Sequence, residues 1–318
     1  MPLDHIEYEN LVNRYFNDLS RTQFETVYCP ICIAFSDYIL LFQKGTQKIV
    51  RCKCGLVYSK TQPTQSVLDA FYAESNAMKL WSDFKDTPEE ENRQFEKYAH
   101  AILQIKLMGV KSVLDIGCGN GVFLNTLRKE LPKATNLHGV EPNVDACNIA
   151  LSKGLSVSNI NFLDFTKSHC LGKYDLITLW GVLEHVKDVR MALKQIRAIL
   201  NPNGSVLICV PNVDSTIVQM TWGKCFTFCP QHLWYFNTES LISILQSEGF
   251  LLVSHWSIES EAIPVMKAEY GLDPYDKIEY WEGLPWSDPQ KVMARSIGIL
   301  NQDKGYKIVM IARCSTLQ

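Results

Sequence analysis

Residues Val113-Leu114-Asp115-Ile116-Gly117-Cys118-Gly119-Asn120-Gly121 read as a buried strand running straight into a turn dense in glycine. Gly117, Gly119 and Gly121 remove every second Cβ, so the backbone can take positive φ and lie directly against a ligand. Dinucleotide-binding proteins space such glycines as G-x-G-x-x-G, with a helix N-terminus facing a pyrophosphate. Here the spacing is G-x-G-x-G. Asp115 would repel a pyrophosphate but would favour a sulfonium and an ammonium group. The combination points to a positively charged nucleoside ligand, S-adenosylmethionine above all.

At 318 residues the chain has room for a catalytic domain of about 200 residues and an additional module. Its 31 basic and 34 acidic residues leave a net charge of −3, so nucleic acid is disfavoured as a partner. The first twenty residues are charged and mixed rather than an apolar leader, and no apolar run approaches the ~20 residues of a membrane helix. A soluble, cytoplasmic protein with no membrane partner is therefore expected. Cysteines within apolar strands, such as Cys209 and Cys314, read as small buried thiols.

One cysteine cluster stands apart. Cys29-Pro30-Ile31-Cys32 is followed, after nineteen intervening residues, by Cys52-Lys53-Cys54-Gly55. Two thiolate knuckles with Pro and Gly beside them suit a closed, tetrahedral, structural zinc site. Between them, Tyr38–Phe42 and Lys48–Val50 flank Lys44-Gly45-Thr46 as a hairpin, so Cys29, Cys32, Cys52 and Cys54 read as the ligands of a zinc ribbon. The second knuckle is C-x-C rather than the usual C-x-x-C.

From Ser66 to Leu107 apolar residues recur at helical spacing, and Met78–Asn92, with Trp81 and Phe84, reads as a helical lid. After Gly121 helices and strands alternate: helix Val122–Glu130, strand Leu137–Glu141, helix Val144–Lys153, strands Ile160–Leu163 and Tyr174–Trp180, helix Arg190–Leu200, strand Ser205–Val210. Asn201-Pro202-Asn203-Gly204 reads as a turn. Helix Thr238–Glu248 and strands Phe250–Ile258 and Tyr306–Arg313 follow, the last two bracketing an insertion, 259–305. The expected fold class is α/β, a doubly wound and mostly parallel sheet. Four regions follow: a segment 1–24, the ribbon 25–62, a helical linker or lid 63–109, and the cofactor domain 110–318.

If the glycine turn cradles a nucleoside, the next strand should end in a carboxylate that can accept both ribose hydroxyls. Glu141, followed by Pro142, sits there. Asp164, in Asn161-Phe162-Leu163-Asp164-Phe165, is placed to accept from the adenine amine with Leu163 or Phe165 against the ring. Either acid alone reads equally well as a helix cap. Their order along successive strands favours a site, because ligands of open α/β sheets bind outside the carboxyl ends of the strands.

On these motifs, together with Leu183-Glu184-His185-Val186 and Leu200-Asn201-Pro202-Asn203-Gly204, the stretch from Ser112 to Arg313 resembles the class I S-adenosylmethionine-dependent methyltransferases, in particular the ubiquinone-biosynthesis O-methyltransferase group. The resemblance implies a seven-stranded sheet whose reversed last strand, Tyr306–Arg313, inserts between the fifth and sixth. It implies that the backbone of Gly117, Cys118 and Gly119 lines the methionine and ribose, that Trp180 and Gly181 lie beneath the amino-acid end, and that Arg93 pairs with the methionine carboxylate. A cysteine ribbon ahead of such a domain resembles a bacterial subset that modifies sugars or other small metabolites.

Methyl transfer needs alignment and removal of one proton. His232, in Gln231-His232-Leu233-Trp234-Tyr235-Phe236, is the preferred base, with Glu184 and His185 as further catalytic candidates. In ubiquinone-type enzymes an acid three residues before the Glu-His pair supports a metal reading; Gly181 stands there and argues against a catalytic metal. The expected function is methyl transfer to oxygen, nitrogen or carbon of a small molecule, a sugar or sugar nucleotide among the candidates. An RNA or protein methyltransferase gripping its target with the ribbon, and a non-catalytic cofactor-binding partner subunit, are the competing readings.

Overall fold

A computed structural model describes residues 5–33, 36–168, 173–259, 261–275 and 284–315. Helix α1 (His5–Asn17) and strand β1 (Phe24–Thr26) lead into the cysteine region, strands β2 (Tyr38–Lys44), β3 (Gln47–Cys52), β4 (Val57–Ser59) and β5 (Thr61–Pro63). Three helices follow, α2 (Gln65–Glu74), α3 (Asn76–Lys85) and α4 (Pro88–Met108). The apolar spacing of 66–107 is thus broken twice. Ser75 caps α3, its hydroxyl accepting from the Met78 N–H, and Pro88 opens α4 at the one position where its missing N–H costs nothing.

The alternating half runs β6 (Ser112–Ile116), α5 (Val122–Glu130), β7 (Asn136–Val140), α6 (Val144–Ser152), β8 (Val157–Ser158), α7 (Phe162–Ser168), β9 (Tyr174–Trp180), α8 (Val189–Ile199) and β10 (Leu200–Pro211). It continues with α9 (Thr216–Thr221), β11 (Trp234–Tyr235), α10 (Thr238–Ser247), β12 (Phe250–Ile258), α11 (Ala262–Glu269), α12 (Pro289–Asn301) and β13 (Lys307–Cys314). One sheet of seven strands has the order β12-β13-β10-β9-β6-β7-β8. Pairings β10–β9–β6–β7–β8 are parallel, and β13 is antiparallel to both β10 and β12. This is the doubly wound, mostly parallel sheet with the reversed strand inserted where the resemblance placed it.

Central strands are buried on both faces, as a parallel sheet covered by helices requires. Tyr98, Ile102, Phe123 and Leu127 of α4 and α5 cover one face, and Leu193, Ile196, Leu241 and Ile244 of α8 and α10 cover the other. Two local expectations are corrected. No strand forms at Ile160–Leu163: pairing ends at Ser158, and Asn161 starts a helix by accepting the Asp164 N–H on its side-chain oxygen at 3.0 Å. Asn201–Gly204 is not a free turn but an irregularity inside β10, where the register with β9 shifts and Asn203 takes φ 64°.

The cysteine hairpin borrows a strand from the other half of the chain. Its sheet has four strands in the order β11-β4-β3-β2, so β11, from beyond residue 230, pairs antiparallel with β4 through Trp234↔Tyr58 and Tyr235↔Val57. Ser59 N–H donates to Leu233 O, and the buried Gln47 amide donates to Cys229 O at 3.0 Å. Within the insertion, residues 276–283 lie outside the described residues.

Candidate active site

Three loops meet at the carboxyl ends of β6, β7 and β9. Gly117, Gly119 and Gly121 all have positive φ, at 66°, 53° and 73°. Their reasons differ. A Cβ on Gly117 would stand 2.6 Å from Val182 Cγ2 and one on Gly121 2.3 Å from Leu155 Cδ1, whereas one on Gly119 would meet nothing within 4 Å. Two of these glycines therefore permit close packing, and the third faces open space. Cys118 is buried behind the turn, near enough to Gly139 that a Cβ there would stand 2.6 Å from its sulfur.

Glu141 follows β7 and is buried. Its Oε2 accepts the Gly119 N–H and its Oε1 the Asn143 N–H, both at 2.8 Å. Each oxygen keeps a second lone pair for a ligand. Pro142 is half-buried, its carbonyl accepting from Asn159. Asp115 points into the sheet, where the Thr178 hydroxyl donates to it at 2.6 Å. Burial raises its carboxyl from 3.8 to about 7, partly offset by that hydrogen bond. A group whose proton is held more tightly in the folded state contributes stability below the unfolded pKa and loses it as pH rises through the folded one. Melting curves of Asp115→Asn against the unliganded parent are therefore expected to show the variant gaining relative stability between about pH 4 and pH 7; a pH-independent difference would contradict this.

Asp164 lies in the first turn of α7, exposed and joined to Asn161 and Lys167. Phe165 turns inward and stacks on His138 at 5.7 Å, leaving half-buried Leu163 as the apolar neighbour of Asp164. Trp180 packs between Tyr98 and Phe123 at 4.6 and 5.1 Å, and its indole N–H is buried without a partner. Gly181, at φ 68°, donates its N–H to Cys209 O. Arg93 is engaged by Glu90, Nε to Oε2 at 2.7 Å and a terminal nitrogen to Oε1 at 3.0 Å. Helices α2 and α3 are tied to these loops: Asn120 and Ser82 of α3 exchange two 2.8 Å hydrogen bonds, and the Asn143 amide donates to Tyr72 O.

Glu184, His185 and His232 come together on the far side. One ligand atom from each lies within 4.8 Å of the others. Glu184 is buried with Oε2 unpartnered, and burial lifts its pKa to about 7. His185 Nδ1 lies 2.9 Å from Gln231 O and 2.7 Å from the Tyr72 hydroxyl; burial lowers its pKa to about 4. His232 Nδ1 lies 2.7 Å from Thr227 O, and burial holds its pKa well below the ordinary value. Donation of the Nδ1 proton to a carbonyl leaves Nε2 of His232 with the lone pair. Leu233 N–H on Glu184 O at 2.9 Å ties the two loops. Among the aromatic residues nearby, Phe228, Trp234 and Tyr235 are core, while Phe226 is exposed.

Several contributors gave no local signal. Tyr72 reads from sequence as part of the apolar face of α2, and only the fold turns its hydroxyl to His185. Lys97 and Lys307, on α4 and β13, converge on Glu259 at 3.5 and 3.3 Å. Nothing in their sequence neighbourhoods joins them.

The four cysteines also converge. Cys29 and Cys54 sulfurs are 3.4 Å apart, Cys32 and Cys52 3.1 Å, and all four lie within 4.8 Å of one another. Zn–S bonds of about 2.3 Å in a tetrahedron require sulfurs roughly 3.8 Å apart, so the set fits. Gly55, at φ 93°, makes the C-x-C turn tight enough to bring Cys52 and Cys54 into it together.

Comparison with known proteins agrees with the fold. The ubiquinone biosynthesis O-methyltransferase of Erwinia tasmaniensis is 34% identical over 110 residues, 33% of this chain and 44% of that protein. The aligned region thus spans less than half of that relative's length. A SAM-dependent methyltransferase from Archaeoglobus fulgidus superposes with a TM-score of 0.50 at 21% identity, covering 75% of this chain and 100% of that one. A chain from the complex of the Haloferax volcanii Trm112 methyltransferase activator with its methyltransferase gives 0.53 at 14%, covering 78% and 97%. A family profile described as a methyltransferase domain matches residues 90–255, more than half of the chain. By that match, laid over a seven-stranded sheet and its glycine turn, the chain belongs to the methyltransferase-domain family.

Proposed function

We propose that this protein transfers a methyl group from S-adenosylmethionine to a small-molecule acceptor, a sugar or sugar nucleotide, at oxygen, nitrogen or carbon. The observation that carries the donor assignment is the open space at Gly119 beside the buried carboxylate of Glu141. In this reading Glu141 accepts the ribose hydroxyls, Gly117, Cys118 and Gly119 offer backbone, Asp164 and Leu163 serve the adenine, and the orphaned Trp180 N–H finds a partner. The donor supplies an electrophilic methyl on sulfur. Neutral His232 takes the acceptor's proton at Nε2, and His185, held by Tyr72 and Gln231, sets its ring against that of His232 at 4.7 Å.

Calorimetry with S-adenosylhomocysteine, and mass spectrometry of a labelled-methyl reaction with a library of nucleotide sugars, test both halves. His232→Ala should lower turnover at least about tenfold and leave cofactor affinity nearly unchanged. Normal turnover in that variant would remove His232 from the mechanism. We further propose one structural zinc per chain, held by Cys29, Cys32, Cys52 and Cys54. Metal-free protein whose four thiols alkylate freely in the native state would reject it.

A further inference from the structure

We infer that the acceptor is an anion, and that Lys97 and Lys307, with Arg93, receive its phosphate or carboxylate group; the inference rests on the methyl-transfer reading and narrows its acceptor class.

Position comes first. Strand β13 is antiparallel, so its first residue, Lys307, lies opposite Pro211 at the carboxyl end of β10, on the edge of the sheet where ligands of this architecture bind. Lys97 reaches the same place from α4, next to Tyr98, whose ring packs on Trp180. Two residues back along β10 from Pro211, Cys209 pairs with Trp180, and its carbonyl holds the Gly181 N–H. The cations therefore border the chemistry rather than a remote surface.

Charge balance comes second. Glu259 is shared by three cations: Lys307 at 3.3 Å, Lys97 at 3.5 Å and Arg93 at 3.9 Å. Arg93 shares its other carboxylate, Glu90, with Lys85. Half-buried Glu261 stands two residues from Glu259, and burial with repulsion from Glu259 raises its pKa to about 7. Glu259 thus holds three cations on one carboxylate, while Arg93 and Lys85 share Glu90. Buried charges that exceed their partners are costly, and the cost shows: burial and the neighbouring Lys307 pull Lys97 down to about 8, and burial pulls Lys85 to about 7. An anion bound between Lys97 and Lys307 relieves that excess.

Backbone strain comes third. Glu259 and Glu261 have φ 56° and 50°, left-handed positions that residues with a Cβ rarely take. Strain of this kind persists where the surroundings over-determine it, and it clusters at ligand clamps. Here it places the Glu259 carboxylate within reach of both lysines. A phosphate or carboxylate matches paired ammonium groups and a guanidinium. Of the two acceptor classes proposed, the sugar nucleotide carries such a group and the free sugar does not.

The test uses full-length protein saturated with S-adenosylhomocysteine, titrated calorimetrically with inorganic pyrophosphate and with malonate, with glucose as the neutral control, at low and high salt. Pyrophosphate or malonate is expected to bind and to weaken with salt, and glucose to give no heat. Lys307→Met and Lys97→Met should each weaken anion binding at least about tenfold, while Lys307→Arg retains it and S-adenosylhomocysteine affinity stays within about twofold in all three. Thermal melts of each variant establish that it is folded. Absence of anion binding to the loaded parent protein overturns the inference. So does loss of S-adenosylhomocysteine affinity in the lysine variants with anion binding intact, which would assign these cations to the donor's own carboxylate. A parent protein that binds no S-adenosylhomocysteine but loses anion binding in the lysine variants would defeat the methyl-transfer reading and leave the anion site standing.

Discussion

Cys54→Ser, or removal of the ribbon metal with a chelator, is expected to abolish zinc binding and to lower methyl transfer at least about tenfold while S-adenosylhomocysteine still binds. The first half follows from four sulfurs within 4.8 Å, which need a cation between them to remain together as thiolates. For isolated zinc modules the apparent metal-binding energy, about 10–16 kcal/mol, is folding energy, so an empty ribbon should lose its hairpin. The second half follows from the four-stranded sheet. Strand β4 is the neighbour of both β3 and β11, and Gln47 of β3 holds Cys229 O, three residues before His232. A melted ribbon releases the loop from Thr227 to Tyr235, and with it the carbonyl that fixes the His232 tautomer. The glycine turn at Gly117–Gly121, the proposed cofactor cradle, follows a strand of the other sheet and should be spared. Zinc content, calorimetry and turnover measured on one preparation check this: unchanged turnover after zinc loss would sever the ribbon from the site, and a parallel loss of cofactor binding would mean that the whole fold had failed.

The second large effect separates glycines that look alike in the sequence. Gly119→Val is expected to cost cofactor affinity about a hundredfold or more, because its side chain enters a space with no non-neighbouring atom within 4 Å, and its stability cost is that of left-handed strain at φ 53° alone, about 1–2 kcal/mol. Gly121→Ala should do the reverse. Its Cβ would stand 2.3 Å from Leu155 Cδ1 and 3.1 Å from Ala150 Cβ at φ 73°, so overpacking and left-handed strain together should cost about 2–4 kcal/mol, or roughly 3–6 °C in Tm. Differential scanning calorimetry paired with S-adenosylhomocysteine titration measures both. Should Gly119→Val bind the cofactor normally, the cradle does not lie at this turn.

Legibility in the sequence was uneven for identifiable reasons. Helix Val122–Glu130 and strands Tyr174–Trp180 and Phe250–Ile258 match their apolar patterns residue for residue, since each is a periodic run bounded by polar or glycine positions. Strand β8 was misplaced because Ile160-Asn161-Phe162-Leu163 has strand-like composition, yet the Asn161 side chain offers the Asp164 N–H a helix cap. The three glycines share one motif, but only neighbours from elsewhere, Val182 for Gly117 and Leu155 with Ala150 for Gly121, show which of them packs and which faces the cleft. The two-residue strand β11 is too short to leave a period, and its partner lies more than 170 residues away.

By itself the sequence determined the alternating α/β order, the glycine turn with Glu141 one strand later, and a cysteine set with metal-ligand spacing. These are local properties, written in residue type and in periods of two or about three and a half. Only the tertiary structure decided that the sheet of the cysteine hairpin pairs with the strand after His232, that Tyr72 meets His185, that Asp115 bonds Thr178 within the sheet, and that Lys97 and Lys307 share Glu259. Those are contacts between elements far apart in the chain. They arise from the strand order and from the reversal of β13, which no local pattern of residues around the participants encodes.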